Sequence, residues 1–357
     1  MPFRRASGPA ARVPMESGCY PRTIKYEAWE GEESDGLTGS GRREQLGAML
    51  AALLTTVLWA VSAVCGSRSA RLVGGTEANF WRLVCATALL GVWAHLFGQG
   101  LGGVSFPLFV FSGIIGVGAD FFLFQSYPLL GARLTILIIQ CGAALTGAAV
   151  EWLWQGTRLS VWQIAAGAAI LAGVALALAP GKHLTATPRE LRSGIALSAL
   201  AALGNGWGAV LSRRAFAVAG KAGQNIDGPT AAYQRLMGGL LVAGVSLLIV
   251  AWRRARAPVP PAPPAGASRA ARWRRAWPWV VVTGIVGQTL GVSCYQWALK
   301  TTATGVVLAI TSTAPLVVIP FSSVMEGETM TRRSICGGLL AVLGVIVLVT
   351  VAAHSAK

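Results

Sequence analysis

Ten apolar stretches follow one another from Leu46 to near the C-terminal end, at 46–65, 77–97, 104–124, 132–152, 160–179, 193–212, 230–251, 277–297, 304–324 and 334–353. Each is close to the roughly 20 residues that an α-helix needs to cross a bilayer. Inside lipid every backbone polar group must be satisfied internally, which leaves helices and closed barrels as the only spanning structures. Barrel strands alternate apolar and polar residues over about ten positions; these stretches are apolar without alternation for about twice that length. The fold expected is all-α integral membrane, with ten transmembrane helices. Charge agrees: 12% of residues are charged, against roughly 25% in soluble domains.

The excess of 30 Lys+Arg over 14 Asp+Glu is not spread like a nucleic-acid surface. Its densest cluster, Arg253, Arg254, Arg256, Arg269, Arg272, Arg274 and Arg275, falls between two apolar stretches. Arginines beside a span hold topology and meet anionic headgroups, and no nucleic-acid motif accompanies them. Residues 252–276 also hold Ala257-Pro-Val-Pro-Pro-Ala-Pro-Pro, which reads as a stiff, exposed linker. Residues 1–45 are polar, mixed in charge and without an apolar core; they read as a disordered tail and not as a signal peptide. Cys19, Cys65, Cys85, Cys141, Cys294 and Cys336 form no C-x-x-C pair, and His95, His183 and His354 are far apart. Neither set points to a metal centre.

One unit occurs twice. Residues 113–176, moved by 171 positions, align with 284–347 without a gap. Among the identical pairs are Gly113/Gly284, Gly116/Gly287, Gln125/Gln296, Leu137/Leu308, Gly156/Gly327, Gly167/Gly338 and Gly173/Gly344. Apolar composition alone does not bring glycines into register. Upstream, Arg82-Leu83 matches Arg235-Leu236, and Trp59 and Trp207 hold similar places in the first and sixth stretches. The expected units are 46–180 and 191–353, five spans each, and an odd number of spans inverts the second against the first. Inverted repeats are typical of secondary transporters, whose sites lie at the repeat interface near mid-membrane.

The second unit reads Ala303-Thr-Gly-Val-Val-Leu-Ala-Ile-Thr-Ser-Thr-Ala-Pro315, then Glu326-Gly-Glu328, then a last stretch ending Gly344-Val-Ile-Val-Leu. The first has Trp59, Arg82 and Glu151-Trp-Leu-Trp-Gln-Gly156. Together these resemble the EamA branch of the drug/metabolite transporter superfamily, over about 46–352. The resemblance implies two inverted five-helix repeats and the movement of small metabolites or drug-like solutes. The first half departs from the family pattern: Gly156-Thr157 lacks the acid of Gly327-Glu328, and Ala144 stands opposite Pro315.

Charges within spans cost about 2.5–3.5 kcal/mol on insertion scales, so each needs a reason. Asp120 is the clearest, deep in the third stretch beside Phe121, Phe122 and Phe124. It reads either as a coupling or recognition site or as the ion-pair partner of Arg82 or Arg133. Arg82 and Arg235 read as anion holders facing a cavity, or as side chains snorkelling to the interface. Gln140, Asn205 and Gln288 add polarity that the repeat does not duplicate, while Trp59, Trp207 and Tyr233 are candidates to line a cavity or simply to pack. Glu151, Glu326 and Glu328, at span ends, are read as interfacial and structural.

No Walker sequence, G-x-S-x-G elbow or H-E-x-x-H motif is present, and these are the patterns that would carry ATP hydrolysis, acyl transfer or zinc chemistry. The expected function is a secondary transporter, not an enzyme, in the cell membrane of a bacterium, driven by protons or by exchange. The alternative is a membrane-embedded enzyme or a lipid-processing accessory protein. The partners implied are the lipid bilayer and a small-molecule substrate, with a homodimer admitted and nucleic acid excluded; no cofactor is implied. Two expectations on orientation conflict. The resemblance puts both termini in the cytoplasm, whereas the arginine-rich 252–276 segment puts the opposite face there.

Overall fold

The computed structural model describes residues 39–156, 159–178, 187–256, 268–318 and 332–354, and every regular element among them is helical. The helices are α1 (Gly39–Val73), α2 (Gly75–Leu96), α3 (Phe106–Ile115), α4 (Asp120–Val150), α5 (Val161–Leu178), α6 (Pro188–Lys221), α7 (Gly228–Arg256), α8 (Arg269–Val282), α9 (Val292–Thr301), α10 (Thr304–Thr311) and α11 (Arg332–His354). Two π-helical stretches, Glu151–Gln155 and Thr283–Gly291, continue α4 and join α8 to α9. Four continuous helical stretches have both the length and the hydropathy of a membrane span: Arg43–Val73, Phe106–Trp154, Pro188–Lys221 and Gly228–Arg256. Shorter apolar helices lie at Val161–Leu176, Thr304–Val318 and Cys336–Val347.

Local sequence accounts for the ends. Thr187 caps α6 through a reciprocal capping box with Glu190, and Pro188 takes the first turn, where its missing N–H costs nothing. Arg253, Arg254 and Arg256 form the last turn of α7, where cations meet the negative end of the helix dipole. Of the expected 252–276 linker, both flanks are helical. Helix α7 continues to Arg256 and α8 begins at Arg269, and 257–267 lie outside the described residues. So do residues 1–38 of the expected tail, while residues 39–45 open α1.

The third apolar stretch is not one straight helix. Turns at 116–119 interrupt it, and helix resumes at Asp120 and runs to a break at Gly131, whose φ of 76° and ψ of 172° only glycine adopts readily. In the second copy the same register holds the π stretch Thr283–Gly291. The position equivalent to Gly131 is Thr302, extended at φ −121° and ψ 145°.

The surface is that of a protein in lipid. Leu153, Val161, Leu248 and Leu343 are exposed, while Arg82, Asp120, Gln140, Arg235 and Gln296 are buried. This is the reverse of a soluble arrangement, and it fits a hydrocarbon solvent. Small residues set the helix approaches, as they do where lipid leaves close packing to drive association. A Cβ on Gly173 would come within 2.6 Å of the Ala341 N, and one on Gly344 within 2.8 Å of the Ile170 side chain. Gly344 and Ala341 are the repeat equivalents of Gly173 and Ile170, so the contact is reciprocal. A second reciprocal contact sets Gly113 against the Arg235 carbonyl and Gly284 against the Arg82 carbonyl. Two such exchanges make these contacts between the copies reciprocal.

Candidate functional site

A cavity of about 80 Å³ lies between the two halves. Its walls come from α1, α2, α4, α6, α7 and α10 and from both distorted third stretches. Seven of the nine residues singled out in the sequence line it: Trp59, Arg82, Asp120, Gln140, Asn205, Arg235 and Gln288. The distortions explain how. The turns before Asp120 and the π stretch around Gln288 lie at equivalent register, where Val117 and Gln288 are repeat equivalents and both line the cavity; Asp120 and Gln288 supply the polar groups from different positions of the two copies. Such π stretches occur often at functional sites.

The polar floor is a buried network. Arg82 donates through Nη2 to Asp120 Oδ2 at 2.6 Å and through Nε and Nη2 to Asn79 Oδ1 at 3.0 and 2.8 Å. Gln288 Nε2 donates to the same Asp120 oxygen at 3.2 Å. The Arg82 guanidinium lies 4.3 Å from the Phe124 ring centroid, a cation–π distance. Of the two readings of Asp120, the ion pair is what the geometry shows, and its partner is Arg82. Arg82 does not snorkel: it is 3% exposed.

Arg235 is 4% exposed and makes no hydrogen bond with a described residue, its Nε buried without an acceptor. The Oε1 of Gln288 is likewise unpartnered. Gln140 is buried at the cavity wall, and Asn205 is half-buried and donates to the Ala201 carbonyl at 3.1 Å. Trp59 stacks at 4.9 Å and 48° against Tyr295.

Two candidates stand elsewhere. Trp207 is 42% exposed and meets Trp154 at 6.1 Å, on the outer surface. Tyr233 is buried among Leu83, Ala86, Leu90 and Leu236 and packs edge-on against His95 at 5.4 Å. It is a packing residue.

Three polar wall residues were missed: Tyr127, Tyr295 and Ser62. Tyr295 had a signal, since its repeat equivalent Phe124 lines the same cavity; an unbroken Phe/Tyr pair looks like packing until the register is known. Glu151 has the structural part of the role expected of it. It is 2% exposed and accepts from Arg213 Nη1 at 2.7 Å, the Thr304 N and Oγ1, and the Gly305 N. It therefore caps α10 and ties the end of the fourth span to the other half. Glu77, passed over in the sequence, accepts from Arg254, Arg269 and Trp273 Nε1 at 2.7, 3.3 and 3.2 Å. Arginines flanking the proline-rich segment are thus held against α2. Glu326 and Glu328 lie outside the described residues.

A sequence model of the EamA-like transporter family matches residues 46–179 and 192–350. No curated protein matches the chain. Solved structures do, 29 chains in all. One, described as "Crystal structure of protein", is 19% identical, covers 86% of this chain and 98% of its own, and superposes with a TM-score of 0.62. At that identity it speaks for the fold alone.

Proposed function

We propose a transport function on one premise: the chain belongs to the EamA-like transporter family, a family of membrane transporters. It is a multi-pass membrane protein. In our reading it has ten spans in two inverted five-helix repeats and carries a small solute across the cell membrane by alternating access, coupled to protons or to exchange. The supporting observation is the polar cavity at the junction of two pseudo-symmetric halves, walled by irregular third spans. Broken helices facing one another across a repeat interface are where such carriers hold their cargo. Asp120, Arg82 and Gln288 form its polar floor.

The full chain in liposomes, offered labelled amino acids, nucleosides, sugars, organic acids and cationic drugs, is expected to show gradient-driven uptake or counterflow of at least one. Absence of both, with correctly inserted protein and with pH and exchange gradients applied, sinks the reading. Asp120→Asn is expected to abolish gradient-driven uptake while equilibrium exchange survives. Unchanged uptake and pH dependence in that variant leaves Asp120 with a structural role only.

A further inference from the structure

Of the charged side chains lining the cavity, Arg82 and Asp120 neutralise each other at 2.6 Å, and Arg235 is left over. We propose that Arg235 is the anchor for the carboxylate of a small organic monoanion. The inference rests on the transport reading for its biological sense, but binding at Arg235 can be tested apart from it.

The placement of Arg235 makes the charge hard to explain otherwise. It stands about two turns inside α7, and it is 4% exposed. Its backbone is fixed by close contact with Gly113, and a Cβ on Gly116 would come within 2.7 Å of its Nη2. The glycines of the first third span therefore make room for this guanidinium. No described residue accepts from it, and the nearby carboxylate of Asp120 is engaged by Arg82 and Gln288. Guanidinium keeps its charge in proteins, and a buried charge without a partner is destabilising. An anion supplied from outside is the missing partner, and Arg–carboxylate hydrogen bonds are among the strong ones.

Charge and size narrow the class. One surplus positive charge is balanced by one negative charge. A phosphate group, carrying ~1.5–2 charges near neutral pH, would leave the site net negative. About 80 Å³, set against roughly 10–15 Å³ for one water, holds a small molecule and not a drug-sized one. The remaining walls, among them Trp59, Tyr127, Tyr295, Ile139 and Leu308, suit an apolar body, with Gln140 and the free Oε1 of Gln288 for one further polar group.

The test is thermal unfolding of the full chain in detergent. The probes are C3–C6 aliphatic monocarboxylates and benzoate, their primary amides, the matching amines, and inorganic phosphate. At least one carboxylate is expected to raise Tm while its amide and amine do not. Arg235→Gln is expected to lose that shift, and Arg235→Lys to retain part of it. Without ligand, Arg235→Gln is expected to melt no lower than wild type, because it removes an uncompensated charge. The wild-type series carries the test even if a variant folds poorly. The proposal is overturned if no carboxylate stabilises wild type, if amides, amines or phosphate stabilise it instead, or if the carboxylate shift persists in Arg235→Gln. Liposome flux separates the two readings. A carboxylate that binds but is never moved sinks transport and leaves this assignment standing. A neutral or cationic solute that is moved, with carboxylates inert, does the opposite.

Discussion

Arg82 and Arg235 hold equivalent places in the two halves, each with its carbonyl against an equivalent glycine, yet of the two only Arg82 has a hydrogen-bond partner among the described residues. The difference comes from the third spans. Where the first copy places Asp120, the second has Gly291. The backbone distorts at the same register in both, as turns in one and a π stretch in the other. The scaffold is therefore duplicated and its charge is not. A symmetric scaffold supplies two exchangeable conformations, and an asymmetric charge supplies one site. Substitutions that treat the two copies unequally test that division.

The largest effect is expected at the paired copy. Asp120→Ala leaves the Arg82 guanidinium buried without its ion partner, and breaking such a pair costs about 3–5 kcal/mol. The double variant Arg82→Gln with Asp120→Asn is expected to recover most of that loss, while Arg235→Gln alone is expected to cost nothing measurable. Chemical unfolding in mixed micelles reads all three. Equal losses at Arg82→Gln and Arg235→Gln would remove the asymmetry on which the comparison rests.

The next effect concerns what holds the halves together. Glu151 accepts four hydrogen bonds from α6 and α10 residues in a nearly dry setting. Hydrogen bonds to charged groups are worth about 1.5–3 kcal/mol each, though not additively. Glu151→Gln is expected to lose about 2–3 kcal/mol, and Glu151→Ala more. A loss below about 0.5 kcal/mol, the range of ordinary surface changes, would remove the structural role of Glu151.

A third contrast sits at the break between third and fourth spans. Gly131 has a positive φ that a side chain tolerates poorly, whereas its equivalent Thr302 is extended and its buried hydroxyl has no hydrogen-bond partner. Gly131→Ala is expected to cost about 1–3 kcal/mol. Thr302→Ala, losing an unsatisfied hydroxyl, should stay within about 0.5 kcal/mol. Similar losses at both would mean that the two breaks are interchangeable.

How far the sequence could be read depended on the kind of physics involved. Apolar length gave the all-helical class, because lipid forces backbone satisfaction within each segment, but of the ten stretches expected only four continuous helical stretches have both the length and the hydropathy of a span. The glycine register of the repeat foretold the reciprocal contacts, because close approach admits only small residues. Individual charges were exposed as anomalies by their cost in hydrocarbon, which is why Arg82, Asp120 and Arg235 could be named before their geometry was known. Partners were not legible. Arg82 and Asp120 lie 38 residues apart, and nothing along the chain distinguished that pairing from one with Arg133. Helix continuity was also hidden, because turns at 116–119 and a π stretch at Thr283–Gly291 leave composition unchanged. Residues whose environment is set by rotation about a helix axis, such as Trp207 and Tyr233, were read least well, since inward and outward faces of these spans are both apolar.

The two tryptophans give the smallest and cleanest contrast. Trp59 and Trp207 occupy similar places in the first and sixth spans. One lines the cavity 4.9 Å from Tyr295, and the other is 42% exposed beside Trp154. If burial against the cavity decides function, Trp59→Leu should change solute affinity, because it deletes an indole from the wall and frees Tyr295. An aromatic pair of this kind is worth about 0.5–1.5 kcal/mol beyond its buried area, so affinity is expected to shift by roughly 2- to 12-fold at 1.4 kcal/mol per decade. Trp207→Leu exchanges one apolar surface for another in contact with lipid. It is expected to leave affinity and transport unchanged and stability within about 0.5 kcal/mol. Solute titration of both variants, with intrinsic fluorescence to follow each indole, measures the difference. Solute-dependent quenching that survives Trp59→Leu and disappears in Trp207→Leu would place the solute on the sixth span's outer face, and would move the site away from the cavity between the halves.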